Sequence, residues 1–101
     1  MLKVIIGIKN IIIYSKNMKK EKPIGEVIHY FSEIKVAVIR FSSPISEGDS
    51  IRIIGGENTD FTQPVKSMEM DHEKISKAKK GNEVGLKVKK KVREGYKVFK
   101  A

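Results

Sequence analysis

A spacing shared by three glycines of this 101-residue chain limits what it can fold into: each of the three is followed by an apolar residue three positions later. A second apolar residue stands at the fifth position in two of the three cases. The cases are Gly48 with Ile51 and Ile53, Gly81 with Val84 and Leu86, and Gly95 with Val98 and Lys100. Glycine allows turn conformations that other residues avoid, and residues two apart share one face of a strand. The spacing therefore predicts repeated turns that each lead into a half-buried strand.

Strand-like segments cover most of the chain after Pro23. Its β-branched and aromatic residues predict a hairpin of Ile24–Phe31 and Ile34–Phe41 with a two-residue turn. Four more strands are predicted at Ser50–Ile54, Phe61–Met70, Glu83–Val88 and Lys97–Lys100. Pro64 interrupts the second of these, and Ile75–Lys80 has room for one helical turn at most. Short strands with almost no helical periodicity predict an all-β fold, a small six-stranded antiparallel β-barrel of Greek-key type.

Composition restricts the chain to one ordered domain without cysteine chemistry. A length of 101 residues suits a single small core. Hydrophobic residues make up 40% and charged residues 33%, which is too apolar for a disordered tail and too polar for a membrane span. The sequence contains no cysteine, which excludes disulfides, thiolate zinc sites and thiol nucleophiles.

Residues 1–17 differ in composition from the rest and are interpreted as an atypical leader before one barrel domain at 18–101. The leader consists mostly of Ile, Lys, Asn and Tyr, which AT-rich codons encode. Two interpretations stay open: an extra pair of strands, or upstream DNA read as coding before a true start at Met18. An intact-mass measurement of the native protein separates them. The short apolar runs are unlike a secretory signal or a transmembrane helix, so we expect a cytoplasmic protein.

The turn and core residues between Pro23 and Lys100 resemble two kinds of barrel. One set of positions resembles the second domain of translational GTPases of the elongation factor Tu type. The set is Gly25-x-Val27, Ile45-x-x-Gly48-Asp49-x-Ile51-x-Ile53-x-Gly55, Val65-x-Ser67-Met68, Ala78-x-x-Gly81-Asn82-x-Val84-Gly85-Leu86, Val92, Gly95 and Val98. Gly48–Met68, with Phe61-x-Gln63-x-Val65-x-x-Met68, also resembles the C-terminal barrel of the U32 collagenase-like peptidases. These are mainly turn and core positions, so they indicate fold more strongly than function.

The resemblance implies a binding module or a detached accessory domain. In translational GTPases this barrel packs on the nucleotide-binding domain and helps to hold the acceptor end of transfer RNA. The chain has no G-x-x-x-x-G-K-[ST] phosphate loop, and Glu57 follows Gly55-Gly56 where it would repel a phosphate. Two turns depart from the family's Gly-Asp pair: Asn82 is a mild change, and Tyr96 leaves the geometry of the last turn open.

The net charge of +9 is concentrated near the C-terminus. Residues 1–17 carry +3 and residues 18–73 carry −3, whereas residues 74–101 hold eleven basic residues and two acidic ones. The alternation in Leu86–Arg93 predicts a strand with apolar residues inward and cations outward. The candidate nucleic-acid-binding residues are Lys77, Lys79, Lys80, Lys87, Lys89, Lys91 and Arg93. They predict a track for a phosphodiester backbone, and the alternative is a solvated, solubilising strand face.

No pattern in the sequence predicts catalytic residues, a metal or a cofactor. Asp71-His72-Glu73 is predicted as an exposed acidic turn, because adjacent strand residues face opposite sides and the H-E-x-x-H spacing is lacking. His29 is predicted as a hydrogen-bonded structural histidine among apolar neighbours. Met68 and Met70 are predicted to share one strand face in the core. No serine lies in a G-x-S-x-G motif.

Two functions follow from these observations. The leading hypothesis is a non-enzymatic, translation-factor-like module that binds RNA or the ribosome through a basic C-terminal strand face. The alternative is a protein–protein interaction module that acts in trans with a U32-type peptidase domain or a GTPase domain. We expect no membrane partner and no DNA specificity. Filter binding of RNA at two salt concentrations separates the two, because lysine–phosphate binding weakens with salt.

Overall fold

The chain folds as an all-β domain of ten strand segments. A computed structural model describes residues 22–101; the predicted leader at 1–17 and the predicted start of the barrel at Met18 lie outside the described residues. The strands are β1 (Gly25–Phe31), β2 (Val36–Phe41), β3 (Ile45–Ser46), β4 (Ser50–Gly55), β5 (Thr59–Pro64), β6 (Met68–Met70), β7 (Glu73–Ile75), β8 (Lys77–Ala78), β9 (Glu83–Lys87) and β10 (Lys97–Lys100).

Eight of these strands form one antiparallel sheet in the order β5-β4-β10-β1-β2-β9-β6-β7, and β3 pairs with β8 in a second, two-stranded sheet. The predicted all-β, antiparallel, barrel-like fold is confirmed. The predicted count of six strands is too low. The segment Phe61–Met70 is broken between Pro64 and Met68, where Ser67 has a φ of 58°, and it therefore supplies both β5 and β6. The segment Ile75–Lys80 contains strand residues and no helical turn.

The predicted hairpin of the first two strands is present, with a longer turn than expected. β1 and β2 pair from Gly25 opposite Phe41 to Phe31 opposite Val36, so the turn spans residues 32–35 and not two residues. Lys35 closes it with a φ of 56°. Ile34, predicted to begin the second strand, lies in this turn and is 58% exposed.

Alternate residues of the strands build a single apolar core. β1, β2, β4 and β9 each alternate between buried and more exposed positions over most of their length. Sixteen apolar side chains are buried in one cluster, including Val27, Ile39, Ile53 and Leu86. Met68 belongs to this core as predicted, whereas Met70 is only half-buried.

The three glycines of the recurring spacing occupy the same kind of turn. Gly48, Gly81 and Gly95 have φ values of 97°, 89° and 93°. In each turn the N–H after the glycine donates to the carbonyl oxygen three residues earlier. The pairs are Asp49 with Ser46 at 3.0 Å, Asn82 with Lys79 at 3.0 Å and Tyr96 with Arg93 at 3.2 Å. Because β4, β9 and β10 follow directly, the predicted turn–strand spacing is confirmed.

The side chain after the glycine completes the first two turns. The N–H of Ser46 donates to Oδ2 of Asp49 at 2.8 Å, and the N–H of Lys79 donates to Oδ1 of Asn82 at 2.8 Å. An amide oxygen accepts this bond as a carboxylate oxygen does. Asparagine therefore preserves the turn, in agreement with its interpretation as a mild change.

Tyr96 uses its side chain differently in the third turn. The backbone bond of the turn is kept, and the Tyr96 ring packs directly over Gly55 at the end of β4. A Cβ atom at Gly55 would overlap this ring. The last turn thus retains the geometry of the other two, and its aromatic residue covers a strand glycine.

Candidate binding surface

The basic segment after β9 is a loop, not the predicted strand. β9 ends at Lys87, which lies opposite Val36, the first residue of β2. No further residue of β2 is available to pair with the chain beyond Lys87, so the ladder stops there. Val88 and Val92 are buried and the cations are exposed, as predicted. The predicted strand Leu86–Arg93 is therefore wrong beyond Lys87, where the three lysines between the buried Val88 and Val92 are all exposed.

A buried glutamine fixes the start of this loop. Gln63 on β5 is only 7% exposed. Its Nε2 donates to the carbonyl oxygen of Lys87 at 2.9 Å, and its Oε1 accepts from the N–H of Lys89 at 2.9 Å. Both backbone groups would otherwise lack a strand partner. Gln63 was noticed in the sequence only as part of a motif; the signal for its role is a polar residue at an inward position between Phe61 and Val65.

Four lysines surround an open groove of about 480 Å³ beside Gln63. Lys87 and Lys89 belong to the predicted site. Lys35 and Lys66 were not predicted as site residues. Lys35 lies in the β1–β2 turn, and Lys66 lies in the connection between β5 and β6. Within residues 22–101, the four salt bridges observed involve other cations: His29, Arg40, Arg52 and Lys97. The groove therefore concentrates positive charge that those bridges leave uncompensated.

The remaining predicted cations do not line this groove. Lys77 lies on β8, and Lys79 and Lys80 precede β9, whose far end carries Lys87. Because β9 is five residues long, its two ends lie about 13 Å apart. Lys80 instead lines a second groove of about 400 Å³ with Arg40, Lys97 and Glu26. In that groove Lys97 pairs with Glu26 at 3.4 Å, so part of its positive charge is neutralised.

The loop cations farther along are exposed and differ in their surroundings. Lys91 and Arg93 project from the loop between β9 and β10. Lys90, which was not predicted as a site residue, lies with its Nζ 5.8 Å from the centre of the Phe61 ring, within range of a cation–π contact. The structure thus places Lys87 and Lys89 in the lysine groove, Lys77, Lys79 and Lys80 before β9, and Lys91 and Arg93 in the loop after it.

An apolar tip adjoins the lysine groove. Phe31 and Ile34, at the β1–β2 turn, are the large apolar residues most exposed among those described, at 47% and 58%. Phe31 lies opposite Val36, and Val36 lies opposite Lys87 on the next strand. Directly paired residues of an antiparallel sheet point to the same face. The aromatic tip and the start of the basic loop therefore share one surface, which sequence reasoning did not detect.

His29 is hydrogen-bonded as predicted, but it is not among apolar neighbours in the core. The pairing of β1 and β2 shifts register between Val27 and His29, and this bulge turns the imidazole outward. The side chain is 49% exposed, and its Nδ1 lies 3.3 Å from Oε2 of Glu94. Its ring meets the Phe31 ring edge-on at 4.3 Å between centroids.

Asp71 and His72 form the two-residue turn of the β6–β7 hairpin. Met70 lies opposite Glu73, and the two turn residues have φ values of 54° and 68°, as a type I′ turn requires. All three residues from Asp71 to Glu73 are exposed, as the sequence predicted. In the part of the chain that the structure describes, no three His, Cys, Asp or Glu residues are grouped to hold a metal ion.

Arg52 and Asp60 form a two-pronged ion pair across β4 and β5. Nε of Arg52 donates to Oδ1 of Asp60 at 2.8 Å, and Nη2 donates to Oδ2 at 2.7 Å. These hydrogen bonds, together with the guanidinium charge, lower the pKa of the Asp60 carboxyl. Arg52 and Asp60 lie on strands that carry none of the groove lysines, and the two side chains neutralise each other's charge.

Comparisons with known proteins place this geometry in a known type of barrel. No family model matches the chain. Two crystal structures of the C-terminal domain of a putative U32 peptidase from Geobacillus thermoleovorans superpose with a TM-score of 0.74 each. They are 22% and 23% identical to this chain and cover 78% and 81% of it, and 99% and 93% of the solved domain. The chain has the fold of a U32 peptidase C-terminal domain.

A protein match supports the same resemblance. The U32-like barrel is 38% identical over 76 residues to an uncharacterised protease of Methanocaldococcus jannaschii. The match covers 75% of this chain and 19% of that protease, so the chain spans about a fifth of the curated relative. The predicted resemblance to the U32 C-terminal barrel is confirmed. The resemblance to the second domain of translational GTPases stays a prediction.

The described part of the U32-like barrel, residues 22–101, includes no helix with the length and apolarity needed to cross a membrane.

Proposed function

We propose that this chain is a non-enzymatic interaction module that works together with a U32-type peptidase domain. The observation that carries the proposal is the match of 76 residues to one fifth of a protease, in which most of the relative's length lies outside the matched segment. The fold of a U32 peptidase C-terminal domain supports it. The module supplies a binding surface, and the partner supplies the peptidase chemistry.

The arrangement of titratable groups supports a non-catalytic role. His29 is exposed and bonded to Glu94, and His72 lies in the exposed turn between β6 and β7. Neither histidine lies in the lysine groove, whose lining is made of lysines, Gln63, Pro64, Ser67 and Val88. A nucleophile needs an adjacent base that is itself oriented by a third group, and among residues 22–101 no hydrogen bond joins the Ser67 hydroxyl to a groove lysine.

Binding to a peptidase domain tests the proposal. The full chain is titrated into the part of the M. jannaschii relative that lies outside the matched segment, and heat release is recorded by calorimetry. We expect a one-to-one complex with a dissociation constant of about 10 µM or tighter. The chain alone should cleave no peptide. Peptide cleavage by the purified chain, or failure to bind the peptidase region, would contradict the proposal.

RNA binding remains the competing function. It would use the seven predicted cations, of which Lys80 lines one groove and Lys87 and Lys89 line another. If the loop binds RNA, affinity for transfer or ribosomal RNA should fall steeply between low salt and 300 mM salt, since phosphate contacts release counterions. An RNA affinity that does not change with salt would exclude the lysine track.

A further inference from the structure

We infer that the surface formed by Phe31, Ile34, Lys35, Lys87 and Lys89, hereafter the tip surface, docks onto an acidic protein surface that contains an apolar pocket. The inference rests on the proposed function, which makes a peptidase domain the partner. It adds where on this chain the partner binds and what chemistry the partner's surface must offer.

The tip surface combines exposed apolar area with positive charge. Phe31 and Ile34 expose about half of their area or more, at 47% and 58%. Lys87 lies two strands from Phe31 in the same row of the sheet, and Lys35 directly follows Ile34. Exposed apolar side chains next to cations match the core and rim of a protein interface.

The backbone that carries the tip surface is fixed in several places. The N–H of Val88 donates to the carbonyl oxygen of Lys35 at 2.9 Å, which ties the β1–β2 turn to the basic loop. Gln63 holds the backbone at Lys87 and Lys89 from the other side. A surface ordered before binding loses less conformational freedom on association. The backbone that carries Lys35, Lys87 and Lys89 is therefore ordered before a partner binds.

The balance of charge around the tip surface selects an acidic partner. Lys66 adds a fourth cation to the groove of Lys35, Lys87 and Lys89. Three carboxylates lie nearby: Glu33 in the turn itself, Glu69 opposite Gly85 on β9, and Glu94, which bonds to His29 beside Phe31. None of the four salt bridges in residues 22–101 joins any of these carboxylates to a groove lysine. Carboxylates from a partner would complement this excess of positive charge.

Ile34 favours a protein over RNA as the occupant. Phe31 could stack on a base, but an aliphatic side chain at the apex of the turn has no aromatic face for stacking. Burial of Ile34 instead needs an apolar pocket, which protein surfaces provide. The Phe31 ring, at the end of β1, is also contacted edge-on by the His29 ring at 4.3 Å between centroids. A protein with an apolar pocket and an acidic rim matches both residues.

Charge reversal and removal of the apolar tip test the inference separately. One variant carries Lys87→Glu with Lys89→Glu, and another carries Ile34→Ser alone. The matched control carries Lys77→Glu with Lys79→Glu, an equal charge change at the other end of β9. The dissociation constant of each for the M. jannaschii peptidase region is measured by calorimetry, and thermal unfolding verifies that each variant folds. Because each substituted side chain is exposed, each variant should fold as the wild type does.

The variants of the tip surface should bind at least about tenfold more weakly, as expected for the centre of an interface. The dissociation constant of the control variant should change by less than about twofold, since its substituted charges lie farther from the tip surface than the screening length at physiological salt. Equal weakening by control and test variants would overturn the tip surface but leave the proposed function intact. Absence of binding by the wild-type chain would overturn both.

Other occupants would be recognised in the same set of variants. If Lys87→Glu with Lys89→Glu abolishes RNA retention on filters while peptidase binding is unchanged, RNA occupies the surface and the inference is wrong. If Ile34→Ser instead abolishes a concentration-dependent dimer in sedimentation while peptidase binding is unchanged, a second copy of the chain is the occupant. A tenfold loss of peptidase binding in both test variants, with the control unaffected, establishes the tip surface.

Discussion

At the scale of single residues, Gln63 determines more of the site than any one cation. Its amide satisfies two backbone groups of a loop that has no strand beside it. A buried amide that both donates and accepts holds a loop more tightly than an apolar residue of the same size, because each backbone group left without a partner costs free energy. These two hydrogen bonds position the backbone that carries Lys87 and Lys89.

Replacement of Gln63 by leucine should destabilise the fold. The substitution keeps the volume but leaves the carbonyl of Lys87 and the N–H of Lys89 without partners, which should lower the free energy of unfolding by about 1–3 kcal/mol. Urea unfolding measures it. Thr62→Val, on the exposed face of the same strand, is the control and should change stability far less. Equal stability of Gln63→Leu and wild type would show that the loop is not held by this amide.

The Asp60 carboxyl should titrate below the ordinary range of an aspartate. The hydrogen bond from Arg52 lowers the pKa of Asp60 in the folded state. The pair therefore contributes stability above the unfolded-state pKa, and that contribution is lost as pH falls through the folded-state pKa. A carboxyl-carbon NMR titration should show a low midpoint that rises in Arg52→Gln. A midpoint that does not respond to Arg52→Gln would contradict the assigned cause.

At the scale of elements, the close approach of the last turn to β4 is the tightest contact between neighbouring pieces of the chain. The Tyr96 ring occupies the space that a side chain at Gly55 would need. Glycine is required here for space, and not for a positive φ. Strand glycines often mark such an approach.

Substitution of Gly55 by alanine should reveal this contact. Gly55→Ala forces the Tyr96 ring to move and should cost about 1–3 kcal/mol in the free energy of unfolding. Gly85→Ala is the control, because its Cβ would meet Val36 at an ordinary 3.5 Å. In a Tyr96→Ala background, Gly55→Ala should cost much less, as a double-mutant cycle shows. If Gly55→Ala costs the same in both backgrounds, Tyr96 is not the cause.

The sequence predicted those elements that depend on local chemistry. Each glycine turn led to a strand where expected, since turn conformation and alternation are local properties. The two-residue strands β3 and β8 were missed because their pairing joins residues about 30 positions apart. The basic loop was mistaken for a strand because Val88 and Val92 alternate with cations and are buried without a strand partner. Lys35 and Lys66 reach the groove only through the tertiary fold, and no local pattern marks them.

At the scale of the whole molecule, charge separates into paired and uncompensated regions. Within residues 22–101, ion pairs involve Arg40, Arg52 and Lys97, and His29 bonds to Glu94, all four at strand positions of the sheet. The groove lysines lie at the end of β9 beside the exposed apolar tip. The strongly basic C-terminal quarter therefore contributes cations to two grooves, and those at the tip surface would complement an acidic partner.

Chemical-shift mapping on the whole chain tests the central claim most directly. Labelled full-length chain is titrated with the unlabelled peptidase region of the M. jannaschii relative, and backbone amide shifts are followed for residues 22–101. The account predicts saturable shifts concentrated at residues 31–36 and 86–90, with little change at residues 77–80. An absence of saturable shifts would contradict the interaction-module function, and shifts centred on residues 77–80 would contradict the tip surface.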